Sequence, residues 1–255
     1  MSSSKTVTEG FNYLRLPKSK QEFIRQLNDV NIHDMCFEDR LCLIIEAETT
    51  SRQSNRIERK IREAQFKIKA RPELITYDST RLTIKNQIQS LLTANFIALK
   101  QNILISGSTG VGKSYITTAI GVAACENEYT VKYFKLSNLQ EKLTISRLDG
   151  TYQKLAIKLK TYDLLIIDDF GLSPIGMINS REILDILDDR LNFKSTLIAS
   201  QIPPQDWHSI IEDQTTADAI IDRLIHDSIN LNLTGESYRK LKALEKSKEN
   251  SNLEN

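Results

Sequence analysis

Cysteine and histidine are scarce in this chain of 255 residues, with three of each. The cysteines, Cys36, Cys42 and Cys125, form no Cys-x-x-Cys pair, and the histidines do not cluster. This argues against a disulfide framework and against a cysteine zinc site. No apolar run approaches the roughly 18 residues of a membrane helix. The opening Met-Ser-Ser-Ser-Lys-Thr lacks the apolar stretch of a secretory signal, so a cytoplasmic protein without a membrane partner is expected. Internal repeats, zinc fingers and RNA-recognition signatures are also missing, and aromatics are not interleaved with the basic residues, so base-specific readout is not indicated. The remainder is ordinary globular composition: 40% hydrophobic and 26% charged residues, enough for one or two domains.

The formal net charge of +1 hides local asymmetry. Residues 52–71 hold eight basic side chains, among them Arg56, Arg59 and Lys60, against Glu58 and Glu63. Residues 132–160 hold seven, among them Lys142, Arg147, Lys154 and Lys158, against Glu141 and Asp149. Such segments can build anion-binding surfaces on a balanced chain, or can simply be solvated helix faces.

The first 95 residues or so read as helical. Ser19 with Glu22 three residues on has the pattern of a capping box. Cys36 to Lys69 contains neither Gly nor Pro, and Pro72 ends that helical region. The texture changes at Asn102. Ile103-Leu-Ile, Thr130-Val-Lys-Tyr-Phe, Leu164-Leu-Ile-Ile and Ser195-Thr-Leu-Ile-Ala-Ser read as strands, alternating with helical stretches at 113–127, 137–160 and 180–192. Uniformly apolar strands alternating with helices predict an α/β fold with a parallel sheet covered on both faces. After Pro203-Pro204 the chain reads as helical again. The expected division is a helical domain over 1–72, an α/β domain over 73–240 and a charged tail over 241–255.

Gly107-Ser108-Thr109-Gly110-Val111-Gly112-Lys113-Ser114 matches G-x-x-x-x-G-K-[ST] at every position. Glycines let the backbone turn its N–H groups onto a phosphate, and the following helix adds the positive end of its dipole. Lys113 can reach the β- and γ-phosphates, and Ser114 can ligate Mg²⁺. The glycine spacing is not the G-x-G-x-x-G of a dinucleotide site. Leu164-Leu-Ile-Ile-Asp168-Asp169 ends an apolar strand in two carboxylates. Asp168 suits the Mg²⁺ shell, and Asp169 suits a general base that polarises water. Ser200-Gln201 ends the next strand, and either residue could touch the γ-phosphate. Arg223, in Ala-Ile-Ile-Asp-Arg-Leu, reads by itself as a surface salt-bridge partner of Asp222 or Asp227, and an arginine-finger role gains its weight only from the resemblance that follows.

Taken in order, Gly-Ser-Thr-Gly-Val-Gly-Lys-Ser, Leu-Leu-Ile-Ile-Asp-Asp-Phe-Gly, Ala-Ser-Gln-Ile-Pro with Trp207, Asp-Arg-Leu-Ile-His and Gly-Glu-Ser-Tyr-Arg239 resemble the IstB family. These are the AAA+ ATP-binding helpers of insertion-sequence transposition, related to the helicase loader DnaC. The resemblance covers roughly residues 20–240. It implies a P-loop AAA+ core, with ATP–Mg²⁺ bound by Lys113, Ser114 and Asp168. It further implies Asp169 as the catalytic acid, Gln201 as first sensor, Arg239 as second sensor, and Arg223 acting on the adjacent subunit's nucleotide. Asp169 stands where many relatives carry Glu, one methylene longer, and the amino-terminal third diverges. The resemblance also implies an ATP-dependent homo-oligomer on duplex DNA that recruits or activates a transposase of the IstA type. Lys142, Arg147, Lys154 and Lys158 then become candidates for sequence-independent phosphate contacts, with Arg56, Arg59 and Lys60 as a second set. The competing readings are a DnaC-like helicase loader, a small-molecule kinase and a scaffold with a purely structural ATP site.

Overall fold

The computed structural model describes residues 3–77, 84–225 and 228–235, apart from the side chain of His33. Two compact units divide between Arg59 and Lys60. The sequence reading set the boundary at 72, but Ala64, Ala70 and Ile75 are buried in the core that covers the sheet, so residues from 60 onward belong with the sheet.

The first unit is helical: α1 (Ser3–Tyr13), α2 (Pro17–Asn28), a 3₁₀ turn over Val30–Asp34 and most of α3 (Phe37–Ala64). The capping box expected at Ser19 is corrected. α2 starts two residues earlier, with Pro17 in the first turn, where its missing N–H costs nothing. The free N–H groups of Lys18 and Ser19 donate instead to Glu48 Oε2, at 2.8 and 3.3 Å. Ser19 is buried, and its hydroxyl donates to Ile44 O at 2.8 Å. A carboxylate thirty residues away caps this helix, which no local pattern reveals. α3 also stops at Ala64, short of Pro72, because Gln65 turns left-handed at φ 59°.

The second unit continues with α4 (Lys85–Leu92), α5 (Asn95–Ala98), β1 (Asn102–Gly107), α6 (Lys113–Glu126) and β2 (Val131–Lys135). Next come α7 (Leu136–Leu148), α8 (Tyr152–Thr161), β3 (Leu164–Phe170), α9 (Met177–Arg190), β4 (Ser195–Ser200), α10 (Gln214–Ile225) and β5 (Ser228–Leu233). The strands lie in the order β2-β3-β4-β1-β5, all parallel. Alternate residues serve opposite faces. Ile103, Ile105, Leu164, Ile166, Leu197 and Ala199 join α4, α5 and α6 in one core. Leu104, Leu165, Ile167 and Ile198 join α7, α8, α9 and α10 in the other. This is the doubly covered parallel sheet that the apolar strands predict. The all-helical end expected after Pro204 is corrected by β5, whose Ser-Ile-Asn-Leu-Asn-Leu alternates as an edge strand does. Among the described residues no helix is long and apolar enough to cross a membrane.

Two groups of contacts brace the sheet, one at β4 and one at β2. Arg190 is fully buried and donates to Leu159 O at 2.7 Å, Tyr162 O at 2.9 Å and Thr196 Oγ1 at 3.1 Å, so one guanidinium ties the end of α8 to β4. Burial pulls its pKa down to about 10. The segment after α3 runs along the free edge of β2. Gln65 accepts from Lys132, and the Phe66 ring meets Tyr133 edge-on at 6.2 Å.

Candidate functional site

β1 and β4 pair through Ser106 and Ser200, and β3 meets β4 through Phe170 and Ser200. The carboxyl ends of β1, β4 and β3 therefore stand side by side, where ligands bind in open α/β sheets. Gly107 closes β1 at φ 147°, and a Cβ there would lie 2.2 Å from Leu233 O on β5, so only glycine fits. Gly110 and Gly112 turn left-handed at φ 89° and 91° and deliver the chain to the start of α6, while buried Val111 pins the loop to the core. Lys113 opens α6, is 7% exposed, and donates to Gly107 O at 2.7 Å and Ser108 O at 2.8 Å. Its ammonium thus lies inside the loop curl, and Ser114 follows on the first turn of the helix.

At the end of β3 the register with β4 slips by one residue between Ile167 and Phe170, a bulge in which Asp169 turns left-handed at φ 57°. Asp168 is 1% exposed and satisfied on both oxygens. Tyr133 OH donates to Oδ2 at 2.7 Å, and the Asp169 N–H donates to Oδ1 at 2.8 Å. Burial, then the Asp168 charge, push the Tyr133 hydroxyl far above its ordinary pKa, which keeps it a donor. Lys135 Nζ stands 2.9 Å from Asp169 Oδ2, and Lys67 Nζ stands 3.9 Å from the same atom. The bond to Asp169 raises the pKa of Lys135, whereas burial and then Lys135 lower that of Lys67. Tyr133, Lys135 and Lys67 escaped the sequence reading. The available signal was register: Lys135 ends β2 directly opposite Asp168.

The tip of β4 divides labour between its two polar residues. Ser200 is buried and bonds Phe170 O at 2.9 Å and Ile202 O at 2.6 Å, holding the turn that Trp207 covers. Gln201 reaches the phosphate loop, where Thr109 Oγ1 donates to its Oε1 at 2.6 Å.

The candidate arginines lie elsewhere. Arg223 is near the end of α10, ion-paired with Asp188 of α9 and donating to Ala219 O at 3.0 Å. Asn102 Nδ2 donates to Arg223 O at 3.3 Å, which places that backbone at the amino end of β1, about 16 Å of strand from Gly107. Arg239 lies outside the described residues, as does the tail over 241–255.

The basic segments sort by partner. Lys135 pairs with Asp169, Arg147 with the buried Glu182, and Lys160 with Asp189 at 3.1 Å. Lys142 on α7, and Lys154 and Lys158 on α8, are exposed and form no ion pair among the described residues. Any phosphate meeting Arg147 must compete with Glu182. Arg56 and Arg59 lie on α3, and Lys60, also on α3, donates to Glu128 O.

A glycine loop at the end of β1, a hydrogen-bonded carboxylate at the end of β3 and a polar tip on the strand between them define an ATP-binding P-loop domain of the AAA+ class. Solved structures share this fold. AMPPCP-bound DnaA from Aquifex aeolicus superposes with a TM-score of 0.58 at 23% identity, covering 72% of this chain and 56% of that one. The DnaC helicase loader gives 0.55 at 16% identity, covering 64% and 96%. The chain thus spans little more than half of the DnaA structure, and the likeness to both is one of fold. Sequence goes further. The family described as IstB-like ATP binding protein matches residues 11–247. An insertion-sequence ATP-binding protein of Sinorhizobium fredii is 37% identical over 200 residues, 78% of this chain and 82% of its own. The chain belongs to the IstB-like family of ATP-binding proteins.

Proposed function

We propose that this protein is a cytoplasmic ATPase that assembles with copies of itself on duplex DNA when ATP and Mg²⁺ are bound, and that it recruits and activates an IstA-like transposase. The observation that carries the assembly is the separation along β1: the loop is at one end and Arg223 at the other. An arginine a strand length from its own loop stands away from its own nucleotide, which supports a role at a neighbour's site. Names of insertion-sequence relatives support the transposition context. The exposed lysines Lys142, Lys154 and Lys158 support contact with the phosphate backbone, and the helices of the first unit, with Arg56 and Arg59, together with Lys60 just after that unit, are assigned to DNA or the partner.

The residues divide the chemistry. Lys113 exchanges its loop carbonyls for β- and γ-phosphate oxygens, which move its charge only slightly. Ser114 and Asp168 suit Mg²⁺, which favours few protein ligands and several waters and would neutralise charge building on the phosphates. Tyr133 and the Asp169 N–H fix the Asp168 carboxylate in one orientation. Asp169 takes the proton of the attacking water, and Lys135 holds that carboxylate until the water arrives. Gln201, tied to Thr109, orients water beside the γ-phosphate. Arg223 leaves Asp188 to meet the neighbour's γ-phosphate. The test is particle size by light scattering with ATP or ADP, with and without a duplex long enough for several subunits. A large particle needing both ATP and DNA is expected, lost in Lys113→Ala and in Arg223→Ala. A monomer under every condition overturns the proposal.

A further inference from the structure

A second basic site lies on the opposite side of β2 from Tyr133. A cavity of about 500 Å³ is lined by Lys132 and Phe134 of β2, Lys142 of α7, Lys158 of α8, Glu63 at the end of α3 and Gln65 just beyond it. Lys132 is 7% exposed, and its ammonium donates to Glu63 O at 3.1 Å and to the Gln65 side chain. Both partners are neutral oxygens. The ammoniums of Lys132 and Lys142 also lie 5.5 and 5.7 Å from the Phe134 ring centroid. Lys158 makes no side-chain hydrogen bond or ion pair among the described residues. The cavity therefore gathers three cations, and Glu63 is the one acidic residue in its lining. Converging like charges, one of them desolvated, raise the energy of the fold unless an anion joins them. Burial first, then Lys142 and Lys158, push the Lys132 pKa down to about 8. Local conflicts of this kind are expected where a site needs them.

We propose that Lys132, Lys142 and Lys158 form a phosphate-binding pocket, separate from the phosphate loop, that seats a backbone phosphate of duplex DNA. The DNA source rests on the proposed function; the phosphate chemistry rests on the pocket alone. Arg190 stiffens the seat, because it holds the carbonyls of Leu159 and Tyr162, which follow Lys158 at the end of α8. Lys132 is the residue that distinguishes a pocket from a basic surface: it is too buried to meet a phosphate that does not enter.

The test uses the full chain and two probes. Duplex DNA is titrated against wild type, Lys132→Met, Lys158→Met and Lys132→Arg over a range of salt. Inorganic phosphate is titrated by thermal melting in a Lys113→Ala background, which silences the loop. Lys132→Met and Lys158→Met are each expected to weaken duplex binding about tenfold and to lower the log–log salt slope by about one, with Lys132→Arg near wild type. Loss of the phosphate-induced melting shift in Lys132→Met, with duplex binding unchanged, assigns the pocket to a free anion and overturns the DNA source. Unchanged responses to both probes overturn the pocket. A lower melting temperature for Lys132→Met without any change in slope or phosphate response also overturns it, since that is the signature of a structural lysine. If wild type binds no duplex, the proposed function fails, and the phosphate titration still decides the pocket.

Discussion

Lys113 and Lys132 are equally buried, and each donates its ammonium to two neutral oxygens of its own chain. Their surroundings differ in kind. Around Lys113 the cradle is backbone: glycines with positive φ, a helix start and loop carbonyls. Around Lys132 it is mostly side chain: two more lysines, an aromatic face and a glutamine from beyond a distant helix end, with the Glu63 carbonyl as the one backbone partner. A backbone cradle is written into consecutive residue types, because only glycine adopts the required angles. A side-chain cradle is assembled from residues far apart in the chain and has no local signature.

The comparison breaks hardest at Arg223. Under the proposed assembly a neighbour completes the loop site, whereas the three lysines of the proposed pocket all come from one chain. Arg223→Ala should therefore lower ATP turnover of the DNA-bound assembly by about 10³-fold, measured by phosphate release. ATP affinity of the isolated subunit, measured by calorimetry, should not move. A large loss of affinity would place Arg223 at its own nucleotide.

Gly107→Ala and Lys132→Met form the next contrast. The first pushes a Cβ against Leu233 O on a backbone angle alien to alanine and should cost about 3 kcal/mol or more in urea unfolding. The second removes a buried charge that has hydrogen bonds but no ion-pair partner among the described residues, and should leave stability near wild type or slightly higher. Equal losses would erase the distinction between backbone-built and side-chain-built cradles.

β2 separates the two regions and serves both, since Tyr133 faces Asp168 while Lys132 and Phe134 line the cavity. Tyr133→Phe removes one of the two hydrogen bonds to a buried carboxylate. A loss of about 2 kcal/mol is expected in thermal or urea unfolding without nucleotide, and the salt slope for DNA should be unchanged. A changed slope would mean that the two sides of β2 are coupled.

Legibility followed the same division. The loop, the acid pair and the apolar strands were readable because each is contiguous: Gly107 to Ser114, Asp168-Asp169, Ile103 to Ile105. Sequence leaves Ser200 and Gln201 open; the structure buries the first in the turn under Trp207 and ties the second to Thr109 of the loop. β5 was missed because an edge strand buries Leu231 and Leu233 while exposing Asn230 and Asn232, a pattern six residues long and weaker than the core runs. The cap on α2 was misplaced because Glu48, not Ser19, supplies it. In sequence Arg147 is indistinguishable from Lys154, but the buried Glu182, thirty-five residues on, pairs with it. Long-range partners decide which basic residues remain for a ligand, and spacing along the chain does not carry that information.

The smallest effect is a pH dependence carried by Lys132. Its ordinary pKa is 10.5, and the folded value is about 8, so the unfolded chain holds this proton more tightly. Below about pH 8 the ammonium is charged in both states and its full penalty is present. As pH rises from 8 towards 10.5, the folded protein releases the proton while the unfolded chain keeps it, so stability rises with pH across that window. The facing groups are Lys142 of α7, Lys158 and Tyr162 of α8, and Glu63 of α3. Solvent in the cavity screens them, so the gain is about 1 kcal/mol at most. It should appear as the difference between wild type and Lys132→Met in unfolding free energy measured from pH 7 to 10, which cancels the titrations common to both. Adding inorganic phosphate to the Lys113→Ala protein should flatten that difference, because an anion in the pocket holds the proton on Lys132. A difference unaffected by phosphate would mean that the buried lysine and the anion do not meet.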